Sequence, residues 1–89
     1  MLTLSFHTDP GHGWLAIDRA TARKILGKSY RRISSFSYQD RYGMLYLEED
    51  CDAGLLLNAC KEQSIDVAIN ELPQCNGDIF IRSLRPFRP

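Results

Sequence analysis

The first eighteen residues place the tightest limit on the fold. Leu2, Leu4 and Phe6 alternate with Thr3, Ser5 and His7; Asp9-Pro10-Gly11-His12-Gly13 interrupts; Trp14, Leu15 and Ile17 then resume an apolar run. A period of two sends successive side chains to opposite faces of a strand, so the opening segment predicts a strand with one apolar face. Proline presets φ at the first central position of a turn, and glycine accepts the positive φ that a type II turn requires at the second. The two segments therefore predict a hairpin with a glycine-rich tip, and its apolar face needs a cover.

Two amphipathic stretches can supply that cover. Asp18 is placed to cap a helix, since its carboxylate can accept from the free N–H groups of the first turn. Ala22, Ile25 and Leu26 then fall on one face, and Gly27 is suited to close the helix in a left-handed conformation. A second helix is expected from Asp50 to Gln63, with Cys51, Leu55, Leu56, Ala59, Cys60 and Gln63 as its inward stripe. Between the helices, Ile33 to Tyr38 and Met44 to Leu47 read as strands joined by a Gln39-Asp40-Arg41-Tyr42-Gly43 loop. Met44 to Leu47 is apolar on both faces, which predicts a central place in the sheet.

Ile65, Val67 and Ile69 alternate with Asp66, Ala68 and Asn70 and predict an antiparallel strand. After Asn76-Gly77, Ile79 to Ile81 predicts a last short one. The expected architecture is a single α+β domain over residues 1–84, with a mainly antiparallel sheet and two helices packed on one face, in β-β-α-β-β-α-β-β order. The Arg- and Pro-rich residues 85–89 are expected to form a loose tail.

Eleven basic and eleven acidic side chains cancel, so nothing draws the whole molecule toward nucleic acid or membrane. The charges are nonetheless segregated. Arg19, Arg23, Lys24, Lys28, Arg31 and Arg32 follow one another with no acid among them, while Glu48, Glu49, Asp50 and Asp52 crowd the start of the second helix. Cys51, Cys60 and Cys75 are an odd number without a CxxC spacing, which suits neither a disulfide framework nor a self-contained zinc site. Reduced thiols, no cofactor and a cytoplasmic location are the corresponding expectations. No apolar run approaches membrane-spanning length, and the alternating N-terminus does not resemble a signal peptide.

Each candidate site has an ordinary alternative. The four acids exceed what a helix start needs, which leaves room for a metal or for a surface that meets a partner's basic residues; the ordinary reading is a solvated helix start. His12 and Asp9 near the hairpin tip offer acid–base or ligand groups, yet the same residues make a turn. The six cations, with Tyr30, Phe36 and Tyr38 close behind, can grip a nucleic-acid backbone, although any amphipathic surface helix shows a basic outer face. Ser34, Ser35 and Ser37 lack a nucleophile-elbow context. Cys51 at a helix start invites activation, but its place on the inward stripe predicts burial.

The strings Asp9-Pro10-Gly11-His12-Gly13-Trp14-Leu15, Ser37-Tyr38, Tyr46-Leu47-Glu48-Glu49-Asp50-Cys51-Asp52-Ala53 and Ile81-Arg82 resemble those of a family of small, uncharacterised proteins carried by bacteriophages, prophages and plasmids. The resemblance implies a context, that of mobile elements whose small proteins often bind host machinery, and no activity.

Three functional readings follow. The first is a non-enzymatic interaction protein that binds a bacterial host protein, with the countering of host defence as one such role. It would use Glu48, Glu49, Asp50 and Asp52 with Trp14 or Tyr46 as an apolar anchor, and it has no catalytic residue and no metal. The second is a nucleic-acid-binding accessory factor that uses Arg19, Arg23, Lys24, Lys28, Arg31 and Arg32. The third is a small metal-dependent hydrolase with His12 as acid or base, the acids holding metal and Arg82 holding an anionic substrate. The third requires the hairpin tip, the second helix's start and Arg82 to converge on one pocket. Exposed sheet edges in so small a domain are compatible with a monomer or a homodimer.

Overall fold

The structure, a computed structural model, describes all 89 residues. Strands β1 (Leu2–Thr8) and β2 (Gly13–Asp18) form the expected hairpin, with Phe6 opposite Leu15 and His7 opposite Trp14. Helix α1 (Arg19–Leu26) follows and runs into a 3-10 turn over Gly27–Arg32. Strands β3 (Tyr38–Gln39) and β4 (Met44–Glu48), helix α2 (Asp52–Glu62), strand β5 (Val67–Glu71), a second 3-10 turn at Phe80–Ser83 and strand β6 (Arg85–Pro86) complete the chain. The six strands form one mixed sheet in the order β5-β1-β2-β4-β3-β6.

The register explains the two-layer packing. Leu15 lies opposite Leu47 and Ile17 opposite Leu45, so these residues share a face with Leu4 and Phe6. Ala22, Ile25 and Leu26 of α1 and Ala53, Leu56 and Cys60 of α2 bury against that face. Asp18 caps α1 through Thr21 N–H at 2.9 Å, and Gly27 follows with φ of 54°, a conformation in which a Cβ is strained. Gln63 Nε2 donates to the carbonyl of Ile25 and ties the ends of the two helices together. No helix is long and apolar enough to cross a membrane.

The opposite face of the sheet is also covered, which is why every residue from Gly13 to Ile17 is buried. Trp14, Ala16 and Tyr46 point to that side and pack under Ile79 and Ile81 of the C-terminal segment. His7 lies there too, edge-on to both Tyr46 and Phe80. Burial among these rings pushes the His7 imidazole below its ordinary value.

Several expectations are corrected. The sheet is mixed, because β5 runs parallel to β1, with Leu2 opposite Val67 and Phe6 opposite Glu71. Alternation reports which side chains share a face and is silent on the direction of the neighbouring strand. Most of the expected strand from Ile33 to Tyr38 is irregular, with a turn at Ser35 and Phe36, and only Tyr38 and Gln39 pair with β4. Ile79 to Ile81 is not a strand: Ile79 is extended and leads into the 3-10 turn, and the apolar pair serves as a lid over Trp14.

The last strand instead forms from residues expected to be a loose tail. Arg85 and Pro86 pair with Gln39 and Tyr38, and the proline is tolerated because β6 is an edge. Phe87 is 3% exposed and packs edge-on against Tyr30, with centroids 5.3 Å apart. Cys51, expected on the inward stripe of α2, is exposed in the turn that precedes the helix; Gln63 is exposed as well.

Candidate functional site

The motifs that stand out in the sequence meet at one cleft of about 390 Å³. His12 comes from the β1–β2 loop, Trp14 from the start of β2, and Ser35, Phe36 and Tyr38 from the segment leading into β3. Glu48 ends β4, Asp50 and Cys51 lie before α2, and Arg82 belongs to the second 3-10 turn. The hairpin tip, the start of the second helix and Arg82 therefore converge, as the third reading from sequence requires.

Asp9 is what brings Arg82 there. The carboxylate is 4% exposed and accepts from Gly11 N–H at 2.9 Å, from His12 N–H at 3.0 Å and from Ile79 N–H at 3.3 Å. Arg82 completes it with two donors, Nε to one oxygen and Nη2 to the other at 3.0 Å. The Arg82 guanidinium, helped by the three backbone donors, holds the Asp9 carboxyl well below the usual carboxylate range, against the opposing effect of burial. Asp9 reciprocally raises the Arg82 guanidinium. One side chain thus shapes the hairpin tip and anchors a segment 73 residues away. The Arg82 guanidinium also lies over the Trp14 ring, 5.2 Å from its centroid, and forms part of the cleft wall.

Two of the four clustered acids are similarly committed. Glu48 is 5% exposed and accepts from Asp50 N–H and Cys51 N–H at 3.0–3.1 Å, so it closes the turn out of β4. Asp52 is 3% exposed and accepts from Ser34 N–H at 3.0 Å, from Ser34 Oγ at 2.7 Å and from Ser37 Oγ. Ser37 Oγ in turn accepts Glu48 N–H at 2.9 Å. The cap of α2 is Cys51 without a side-chain bond, so Asp52 docks the preceding loop instead of capping its own helix. Glu49 and Asp50 remain exposed.

Trp14 and Tyr46, read from sequence as apolar anchors, are 2% and 7% exposed. They are core, although Trp14 also lines the cleft. Exposed aromatic surface comes from Phe36, 68% exposed at the rim. From sequence Phe36 falls with the basic stretch and Ser35 is weighed only as a nucleophile; both line this cleft. An apolar residue inside the run Ser34-Ser35-Phe36-Ser37 has no periodic partner, and that was the available signal.

His12 Nε2 lies 3.9 Å from Glu48 Oε1, and donor atoms of His12, Glu48 and Asp50 all fall within 4.8 Å of one another. Ligands on a common zinc ion at about 2.0–2.2 Å stand roughly 3–3.5 Å apart, so this trio would close on an ion with a shift of about 1 Å. The Cys51 thiol is raised by desolvation and by its bond to Glu48, the reverse of what a nucleophile needs. Arg19, Arg23, Lys24, Lys28, Arg31 and Arg32 all lie outside the cleft.

Gly13, next to Trp14 in the hairpin, is tightly enclosed. A Cβ there would stand 2.5 Å from Phe6 Cζ and 3.0 Å from Glu49 Oε2, so a side chain at this position would displace the Phe6 ring. Comparison with protein-family models, with curated proteins and with solved structures finds no match.

Proposed function

We propose that this is a non-enzymatic interaction protein whose cleft receives a cationic side chain from a bacterial host protein, in the mobile-element context that its sequence resemblance implies. The observation that carries this reading is the charge and shape of the cleft. Exposed Asp50, with the buried Glu48 carboxylate behind it, supplies negative charge, the one cation, Arg82, is already neutralised by Asp9, and exposed Phe36, with half-buried Tyr38 beside it, offers aromatic surface. Carboxylates beside aromatic rings suit an Arg or Lys side chain, which gains both charge-assisted hydrogen bonds and cation–π contact. Phe36 takes the anchoring role expected of Trp14 or Tyr46, since it is the aromatic a partner can cover.

Titration of isotope-labelled protein with an Arg-containing peptide tests this directly. Saturating NMR shifts at Trp14, Phe36 and Asp50 are expected, and a matched Gln peptide should give none. Phe36→Ala combined with Asp50→Lys should abolish capture of the host partner while the fold persists, because both residues are exposed. Equal shifts with both peptides, or unchanged capture, would sink the reading.

A second reading is favoured by the His12, Glu48 and Asp50 trio: a divalent ion bound by one nitrogen and two carboxylates. Its extension to hydrolysis finds less support. Arg82 has spent its charge on Asp9, and Cys51 is held protonated. Calorimetry with zinc chloride separates the readings: heat that disappears in His12→Ala supports the ion, and no heat removes it.

A further inference from the structure

Six of the eleven basic residues lie along a continuous track on the molecule. A groove of about 880 Å³ at the corner of α1 and the first 3-10 turn is lined by Arg23, Lys28 and Arg31, with Tyr30 among them and no acidic side chain. Arg23 is shared with an adjoining hollow that holds Arg19 and Tyr42. Arg19 is shared with a third that adds Arg41 and Arg85. The hollows therefore join end to end, with six cations along them.

The acidic side chains beside this track are two, Asp18 and Asp40, and both are occupied by backbone; Pro89 also lines the groove. Asp18 caps α1, and Asp40 accepts from Tyr42 N–H at 2.8 Å and Met44 N–H at 2.9 Å. None of the six cations has a carboxylate within 4.0 Å; the three ion pairs of the molecule involve only His12 and Arg82. Holding this many unpaired like charges on one strip costs self-repulsion, which an anionic ligand would relieve.

Two aromatic residues point to the class of anion. Tyr30 is 6% exposed, lines the groove, and its buried hydroxyl has no hydrogen-bond partner, an orphan donor beside three cations. Tyr42 lines the next hollow, is 83% exposed and carries the Arg41 guanidinium 6.0 Å from its ring centroid. An acidic peptide has use for the cations alone, whereas a base has a π-face to stack on Tyr42. Arg19 and Arg23 stand one helical turn apart, about 6 Å, which suits successive phosphates of an extended strand. A duplex would bury its base faces and leave Tyr42 idle.

We propose that this track binds single-stranded nucleic acid, with phosphates on Arg31, Lys28, Arg23 and Arg19 and a base stacked on Tyr42. The track shares no lining residue with the cleft of His12 and Asp50, so the two surfaces succeed or fail separately.

The test is fluorescence anisotropy with a labelled oligothymidylate of roughly twelve nucleotides, titrated over a salt series from about 50 mM upward. Binding that weakens linearly with log salt is expected. Arg19→Gln with Arg23→Gln should reduce that slope by about 1.4, about 0.7 for each phosphate of a single strand that is no longer neutralised. Tyr42→Ala should lower affinity about ten-fold and leave the slope unchanged. No binding at the lowest salt, or a wild-type slope in the double variant, overturns the site. Equal affinity for polyglutamate or for a duplex of the same length, with Tyr42→Ala indifferent, overturns the single-strand assignment. Phe36→Ala, in the cleft, should bind the oligonucleotide like wild type.

Discussion

The two charged regions of this small domain look alike in sequence and differ in what their charges do. In the acidic region Glu48 and Asp52 are buried, and five donors, three backbone N–H groups and two serine hydroxyls, bond to their carboxylates. Asp9, also buried, takes two more backbone bonds at the hairpin tip, a third from Ile79 and the Arg82 fork. In the basic region Arg23, Lys24, Lys28, Arg31 and Arg32 are exposed and have no carboxylate partner. A buried carboxylate is tolerated only when donors surround it, so the acids that fold the protein are those least free to bind anything. Apart from Arg23, which covers the Tyr30 ring, these cations make no such contacts. A charge cluster therefore has to be read residue by residue before it is treated as a surface.

The greatest destabilisation should come at Asp9. Asp9→Ala would free five donors and leave the Arg82 guanidinium unpaired beside Trp14, and the C-terminal lid would lose its tie to the hairpin; a large drop in urea midpoint is expected. The pH dependence has a definite sign. Arg82 and the backbone donors hold the folded carboxyl well below the usual range, whereas the unfolded chain titrates at about 3.9. The native state thus binds fewer protons, and the stabilisation is complete above about pH 5 and drains away as pH falls below about 4. The advantage of wild type over Asp9→Asn should shrink on acidification. A difference that stays constant from neutral to strongly acidic pH would show that the carboxylate is not the tie.

Asp52→Ala is expected to cost about 2–4 kcal/mol, since it strands Ser34 N–H and the fully buried Ser37 hydroxyl. Asp50→Asn, two residues away and exposed, should change stability by less than about 0.5 kcal/mol. Equal effects from the two neighbours would break the distinction between committed and free acids. Gly13→Ala should cost about 1–3 kcal/mol, because its Cβ meets the Phe6 ring and the ring is packed against the core. Thermal unfolding of the three variants ranks them in one experiment.

What could be read from sequence was local. The Asp18 cap and the apolar face of Ala22, Ile25 and Leu26 follow from rules that span one or two turns, and both are found; Gly27 has the expected positive φ, but its ψ of −125° lies outside the left-handed cap and the chain runs on into the 3-10 turn. The direction of β5 was not legible, since Ile65, Val67 and Ile69 alternate identically in a parallel or an antiparallel pair. Phe87 reads as tail because its partner, Tyr30, lies 57 positions earlier. The cleft was half legible. His12, Asp9 and Arg82 stood out by residue type, and of the two readings open for Asp9, working group or turn residue, the turn is found, with the tie to Arg82 added to it. Burial separates those roles, and four acids within five residues carry no mark of which will be buried.

The smallest expected effect bears most directly on the comparison. If the basic strip contributes nothing to folding, Lys24→Gln and Arg31→Gln should each leave stability within about 0.5 kcal/mol of wild type, because exposed charges without partners forfeit little on removal. Combining them with Lys28→Gln should leave the protein unchanged or slightly more stable, as like-charge repulsion along α1 and the 3-10 turn is relieved. Added salt should narrow any gain, since it screens the same repulsion. Arg23 offers an internal contrast: its guanidinium covers the Tyr30 ring at 5.1 Å, so Arg23→Gln forfeits a cation–π interaction of about 0.5–1 kcal/mol that Lys24→Gln does not. A clear destabilisation at Lys24 or Arg31 would mean that the strip is held by the fold after all, and the division between committed acids and free cations would no longer stand.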